Sequence, residues 1–138
     1  MVYRGNLIAL IVVVLGLCML VPVAQGEGEM IPIRDVKEVA GKWEGNEDAP
    51  DGRYTNTLIF NTDGTGAWVY PKDSPMFTWA LQDGSIPYTW KLIEGKIRIK
   101  ASRGGALSTA ILNKEGSKRH LRFQTDDGTR SGIYEPAK

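Results

Sequence analysis

Between residues 60 and 130 the chain is cut into short pieces by turns that each contain glycine, and no piece is long enough for a stable helix. The turns are Asn61-Thr62-Asp63-Gly64, Asp83-Gly84, Glu94-Gly95, Arg103-Gly104-Gly105, Lys114-Glu115-Gly116-Ser117 and Asp126-Asp127-Gly128. Asp-Gly is the strongest short hairpin signal, because its left-handed backbone matches the twist of the flanking strands. Between the turns, apolar and polar residues alternate with the two-residue period of a half-buried strand. Residues 53–60 place Tyr54, Asn56, Leu58 and Phe60 on one face, and residues 96–100 place Ile97 and Ile99 between three bases.

The same reading predicts strands at 41–45, 65–70, 76–81, 86–93, 106–113, 118–125 and 129–134, with Pro71 to Pro75 confined to a loop. Nine short strands joined by hairpin-length turns make either a sandwich or an up-and-down barrel, and the absence of long crossovers favours the barrel. Closure also removes the exposed edges of an open meander. The expectation is an all-β fold, a compact antiparallel up-and-down β-barrel of about eight strands. It carries a short N-terminal helical turn and is preceded by a signal-peptide helix.

Residues 1–26 are set apart by composition. Arg4 precedes an apolar run from Leu7 to Val21, and Ala24-Gln25-Gly26 offers a small-residue cleavage site. A run of about 15 residues is short for a bilayer that needs ~20, so this reads as a secretory signal peptide, with an uncleaved anchor as the minor alternative. Cys18 follows the bulky Leu17, which disfavours lipid attachment and leaves it as apolar filler. The domain is then 27–138, and it is expected to be secreted or periplasmic, touching membrane only through an uncleaved signal segment. With its sole cysteine gone, a disulfide scaffold, a thiolate metal site and a cysteine nucleophile are all excluded.

Sixteen acidic residues balance sixteen Lys and Arg in the domain, so nucleic acid is not an expected partner. The charges are uneven: residues 27–63 hold nine acids and four bases, and residues 91–122 hold nine bases and two acids. Glu44, Glu47, Asp48 and Asp51 fall in one stretch, read as a solvated acidic loop because it lacks the spacing of a calcium loop. Lys96, Arg98 and Lys100, with Lys118, His120 and Arg122, could form an outward basic stripe. His120 is the single histidine and points outward, and no serine lies in a nucleophile elbow. Neither catalytic residues, nor a metal site, nor a cofactor is expected, and the chain is not expected to be an enzyme.

Before the first strand, Asp35 suits a helix N-cap with Glu38 as its capping-box partner, and Val36 and Val39 share a face. Gly41 stops the turn and Trp43 follows it. A helical turn, then Gly-x-Trp, then sequential hairpins behind a signal peptide, resembles the lipocalin-like (calycin) group, including small secreted bacterial domains. The resemblance implies that the turn closes one barrel end, where Trp43 beside Gly41 packs against a late basic residue, either Arg122 or Arg130. The cysteines of the usual lipocalin disulfide are missing here.

Inward rings either line a cavity or fill a small barrel. The residues expected around a small apolar or amphipathic ligand are Phe60, Trp79, Tyr88, Trp90, Ile99 and Phe123, while the direction of Trp68 stays open. The alternative is a solid barrel acting on an unknown protein partner, such as a protease inhibitor that reaches out with residues 27–33.

Overall fold

A hairpin succession closes on itself only if the first long strand finds the last. In the computed structural model it does. The structure describes residues 28–77 and 83–138. The expected signal peptide and Trp79 lie outside the described residues. Nine strands are present: β1 (Glu29–Ile31), β2 (Gly41–Ala49), β3 (Gly52–Phe60), β4 (Thr65–Val69), β5 (Ser85–Ile93), β6 (Lys96–Ala101), β7 (Leu107–Glu115), β8 (Lys118–Thr125) and β9 (Ser131–Pro136). Strands β2 to β9 pair antiparallel with their sequence neighbours, and β9 returns to β2 from Trp43↔Pro136 to Asp48↔Ser131. The result is a closed eight-stranded antiparallel barrel.

Two-residue turns explain how so short a chain closes eight strands. The β2–β3 register runs from Gly41↔Phe60 to Ala49↔Gly52, leaving only Pro50 and Asp51 to turn. Glu94-Gly95 and Gly116-Ser117 do the same for β5–β6 and β7–β8. The first strand is therefore longer than its sequence pattern predicts, and the acidic stretch is strand instead of loop. Pleating sends Glu47 inward while Glu44 and Asp48 stay outside.

The strand expected at 76–81 is replaced by turn at Met76 and Phe77, and Thr78 to Leu81 fall outside the described residues. Strand β4 pairs directly with β5, Val69↔Ser85 to Thr65↔Thr89, so no strand intervenes in the sheet. The unpredicted β1 uses the edge of β7 beyond the end of β6, pairing Ile31↔Leu112 to Glu29↔Lys114. Ile33 then donates its N–H to the Gly95 carbonyl at 2.9 Å.

The helical turn is a single 3-10 turn, Val36–Glu38. The Asp35 carboxylate accepts from the Lys37 N–H at 2.9 Å, and the Glu38 carboxylate accepts from the Arg34 and Asp35 N–H groups at 2.7 and 3.2 Å. These local bonds hold the turn's shape, and burial holds its position. Val39 is fully buried, which contributes about 1.5–3 kcal/mol. Trp43 donates its indole N–H to the Val39 carbonyl at 2.9 Å. The turn thus closes the barrel end formed by the β3–β4, β5–β6 and β7–β8 connections.

Two glycines allow tyrosine rings to lie across the wall. Gly66 opposes Tyr88, whose hydroxyl donates to the Ile59 carbonyl at 2.6 Å. A Cβ at position 66 would sit 2.1 Å from that carbonyl oxygen and 2.4 Å from the Tyr88 ring. Gly45 opposes Tyr134 in the same way, and a Cβ there would sit 2.1 Å from the Ile133 oxygen. Overpacking of this kind costs about 1–3 kcal/mol. Gly66→Ala is expected to lower the unfolding free energy by about 2 kcal/mol or more, read as a reduced urea midpoint at unchanged slope. Wild-type stability in this variant would refute the close approach.

Candidate functional site

Inward side chains shrink from the plugged end to the other. Along β6 they run Ile97, Ile99, Ala101, and along β7 Leu112, Ala110, Ser108. The plugged half is solid. Phe60 meets Tyr88 at 5.7 Å and Trp90 edge-on at 5.3 Å between ring centroids, with Leu58, Ile97, Ile99 and Leu121 fully buried around them. The Trp90 indole donates to the Asn61 and Thr65 carbonyls, both at 3.0 Å. Four of the residues expected around a ligand, Phe60, Tyr88, Trp90 and Ile99, are therefore core packing in this arrangement.

Above them the small residues leave a cavity of about 390 Å³ in the opposite barrel mouth. Trp68, Ile86, Pro87, Ala101 and Phe123 supply its apolar wall, and Glu47, Tyr70, Arg103, Ser108 and Arg130 its polar part. Phe123 is the one expected ligand residue among the described residues that lines it. Trp68 turns inward, edge-on to Tyr88 at 4.7 Å and to Phe123 at 5.9 Å, and its buried indole N–H has no partner among the described residues.

The polar part centres on Glu47, which is 3% exposed. One carboxylate oxygen accepts from the Tyr70 hydroxyl at 2.9 Å and from Arg130 Nη1 at 3.2 Å. Tyr70 stands where β4 gives way to the β4–β5 loop, its N–H held by the Gly84 carbonyl at 2.9 Å. Arg130 comes from the β8–β9 loop, whose shape is fixed by Asp127. That carboxylate accepts from the Thr129 N–H at 3.0 Å and from the Thr125 and Thr129 hydroxyls at 2.7 Å each. Asp126 is clamped from β6 by both Arg98 guanidinium nitrogens, at 2.6 and 2.5 Å. This clamp also removes Arg98 from the expected basic stripe, and β7 separates the rest of β6 from β8.

Burial pushes the Glu47 carboxyl above its ordinary range, and the Tyr70 hydrogen bond and the Arg130 charge pull it partly back. Burial, and then the charge of Glu47, raise the Tyr70 hydroxyl. Asn56 and the Tyr134 hydroxyl lie buried next to one another and to Tyr70, so the interior beside the cavity is polar on its β2–β3–β9 side.

Arg130 thus sits at the mouth on Glu47, far along β2 from Trp43. Arg122 is on the outer face of β8, opposite Ile111 and Ile133. The late basic residue that reaches the plug is Arg119, whose Nη1 donates to the Glu38 carbonyl at 3.4 Å. Gly41, expected with Trp43 in the closure, holds a positive φ of 120° directly after the turn. Sequence reasoning missed Glu47 because it stopped β2 at Gly45. Extending the alternation Trp43, Gly45, Glu47 by one step finds it.

A carboxyl raised by folding costs stability as it ionises, so the Glu47 contribution is most favourable below its ordinary value of 4.5 and declines as pH rises toward its folded value. Glu47→Gln is expected to gain stability relative to wild type as pH rises through that window, measured by thermal melts from acid to neutral pH. Parallel pH profiles would refute the assignment. Asp126 and Asp127 act oppositely. Hydrogen bonds from Arg98 lower the first; the Thr129 N–H and the Thr125 and Thr129 hydroxyls lower the second to about 2. Both proteins should therefore lose this shared contribution as pH falls below 3.8.

Comparison of the chain with protein-family profiles, with curated proteins and with solved structures finds no match, so the eight-stranded antiparallel barrel is the likeness to calycins that stands.

Proposed function

We propose that this is a secreted or periplasmic, lipocalin-like binding protein that takes a small apolar or amphipathic ligand into the barrel mouth and carries out no chemistry on it. The observation that carries this reading is the cavity of about 390 Å³ walled by Trp68 and Phe123. Its size falls in the range of small-molecule pockets, typically ~300–1,000 Å³ and mostly apolar with a few convergent polar groups. Eight strands leave a barrel interior wide enough to be filled by side chains or to hold one small ligand. Here the plugged half follows the first course, and the Ala101–Ser108 side supports the second. Kinship with lipocalins is part of the proposal, resting on the capped turn, Gly41-x-Trp43 and the barrel. His120 lies on the outer face of β8, away from the cavity, which supports binding without catalysis.

The alternative of a solid barrel whose N-terminal segment reaches into a protease is less well supported. Residues 29–31 are paired to β7 and Ile33 is buried, so that segment is docked on its own barrel.

The test is titration with N-phenyl-1-naphthylamine, an uncharged apolar fluorophore. Saturable enhancement is expected with a dissociation constant on the order of 10 μM, from typical binding energies per ligand atom, accompanied by quenching of tryptophan emission. Ser108→Leu places a branched side chain in the cavity and should abolish the signal. Absent saturation, or binding unchanged in Ser108→Leu, would overturn the reading.

A further inference from the structure

The hydrogen-bonding groups on the cavity wall are not balanced. Arg103, on the connection after β6, lines the mouth and has no acceptor among the described residues. Arg130 commits Nη1 to Glu47, and its other guanidinium nitrogens have no protein acceptor there. Trp68 adds an indole N–H without a partner among the described residues. On the cavity wall these face one acid, Glu47, one of whose oxygens already takes two donors, while Asp51 and Asp127 stand beside Glu47 and Arg130 at the rim. Two guanidinium groups facing one engaged carboxylate leave the cavity wall with more charged donors than charged acceptors.

From this, and resting on the binding reading above, the geometry points to an organic anion as ligand: an apolar body seated against Trp68 and Phe123, with a carboxylate, sulfonate or similar group held at the mouth by Arg103 and Arg130. A cation would face two like charges there. An uncharged ligand would fill the apolar wall and leave the exposed Arg103 and half-buried Arg130 to solvent. Planar anions suit guanidinium groups because two N–H donors meet two oxygens side by side. Glu47 has a positioning role. It holds Arg130 over the cavity, where the β8–β9 loop, pinned by Arg98 and Asp126, has already brought its backbone. The two sides of the mouth, the Tyr70 side and the Arg130 side, meet on this one carboxylate.

The experiment compares two fluorophores with the same ring system: N-phenyl-1-naphthylamine and 1-anilinonaphthalene-8-sulfonate, which adds only a permanently ionised sulfonate. The sulfonate pays its own desolvation, so the informative quantity is how the ratio of the two affinities changes on substitution. In Arg103→Gln the sulfonate should bind about tenfold more weakly, the loss of one charge-assisted hydrogen bond, with the uncharged probe unchanged. Raising salt should weaken binding of the sulfonate and leave that of the uncharged probe unchanged, since screening acts on the charged pair. Arg130→Gln combined with Glu47→Gln removes the second guanidinium without stranding a buried carboxylate, and should lower the same ratio again. An unchanged ratio in both variants, or equal losses for the two probes, would overturn the anion preference and leave the cavity reading standing. If neither probe binds the wild type, both fail.

Discussion

The barrel depends on the pairing of β2 with β9, which joins residues near the start of the domain to residues near its end. Every other ladder in the ring links sequence neighbours, most of them across a short turn and β4–β5 across the loop 70–84. This one joins residues of the greatest sequence separation in the ring and requires the intervening strands to be curled already. Once made, it leaves the eight-stranded ring without an edge of its own. The short β1 then covers the part of β7 left open beyond the end of β6, so the N-terminal segment finishes a ladder instead of hanging free.

Closure creates a tube, and the side chains decide how much of it remains open. At the plugged end, a buried valine and a tryptophan bonded to that valine's carbonyl seat a 3-10 turn too short to persist alone. Next come the Tyr88 and Trp90 rings, each packed against Phe60, and a belt of isoleucine and leucine. Then, within two residues along β6 and β7, the inward side chains fall to alanine and serine. The cavity is the direct consequence of that step in volume, since nothing larger is available on that wall to fill it.

The strand rhythm was legible because turn chemistry and period-two alternation are local signals, and the barrel followed from the lack of crossovers. The capped turn was legible for the same reason, since Asp35 and Glu38 act within four residues of one another. What failed was non-local or ambiguous. Residues 45–49 look like loop because acids crowd them, yet β3 pairs with them to the tip and turns Glu47 inside. Arg130 could be placed on the chain but not in space, because its partner lay in that misread stretch. Phe60, Tyr88 and Trp90 were correctly turned inward, but alternation cannot say at which height a ring sits. That height separates packing from lining. Trp68 was undecided because Ala67 and Val69 beside it are also apolar; cross-strand pairing with Ile86 fixes its register.

Glu47 is the residue that a purely structural account handles least well. An apolar side chain of similar size at that position would pack the tube without a desolvated carboxylate, and replacing buried ion pairs by apolar groups is often neutral or stabilising. The neighbouring Asn56 and the Tyr134 hydroxyl add further polar groups to the same buried region. These groups surround the one part of the interior that is not filled. A fold under selection for stability alone would have neither the step down to Ala101 and Ser108 nor a polar cluster beside it. Their coincidence at the mouth, with Arg130 held by the same carboxylate that Tyr70 bonds, is most simply understood as the cost of keeping a shaped and charged opening in a small barrel.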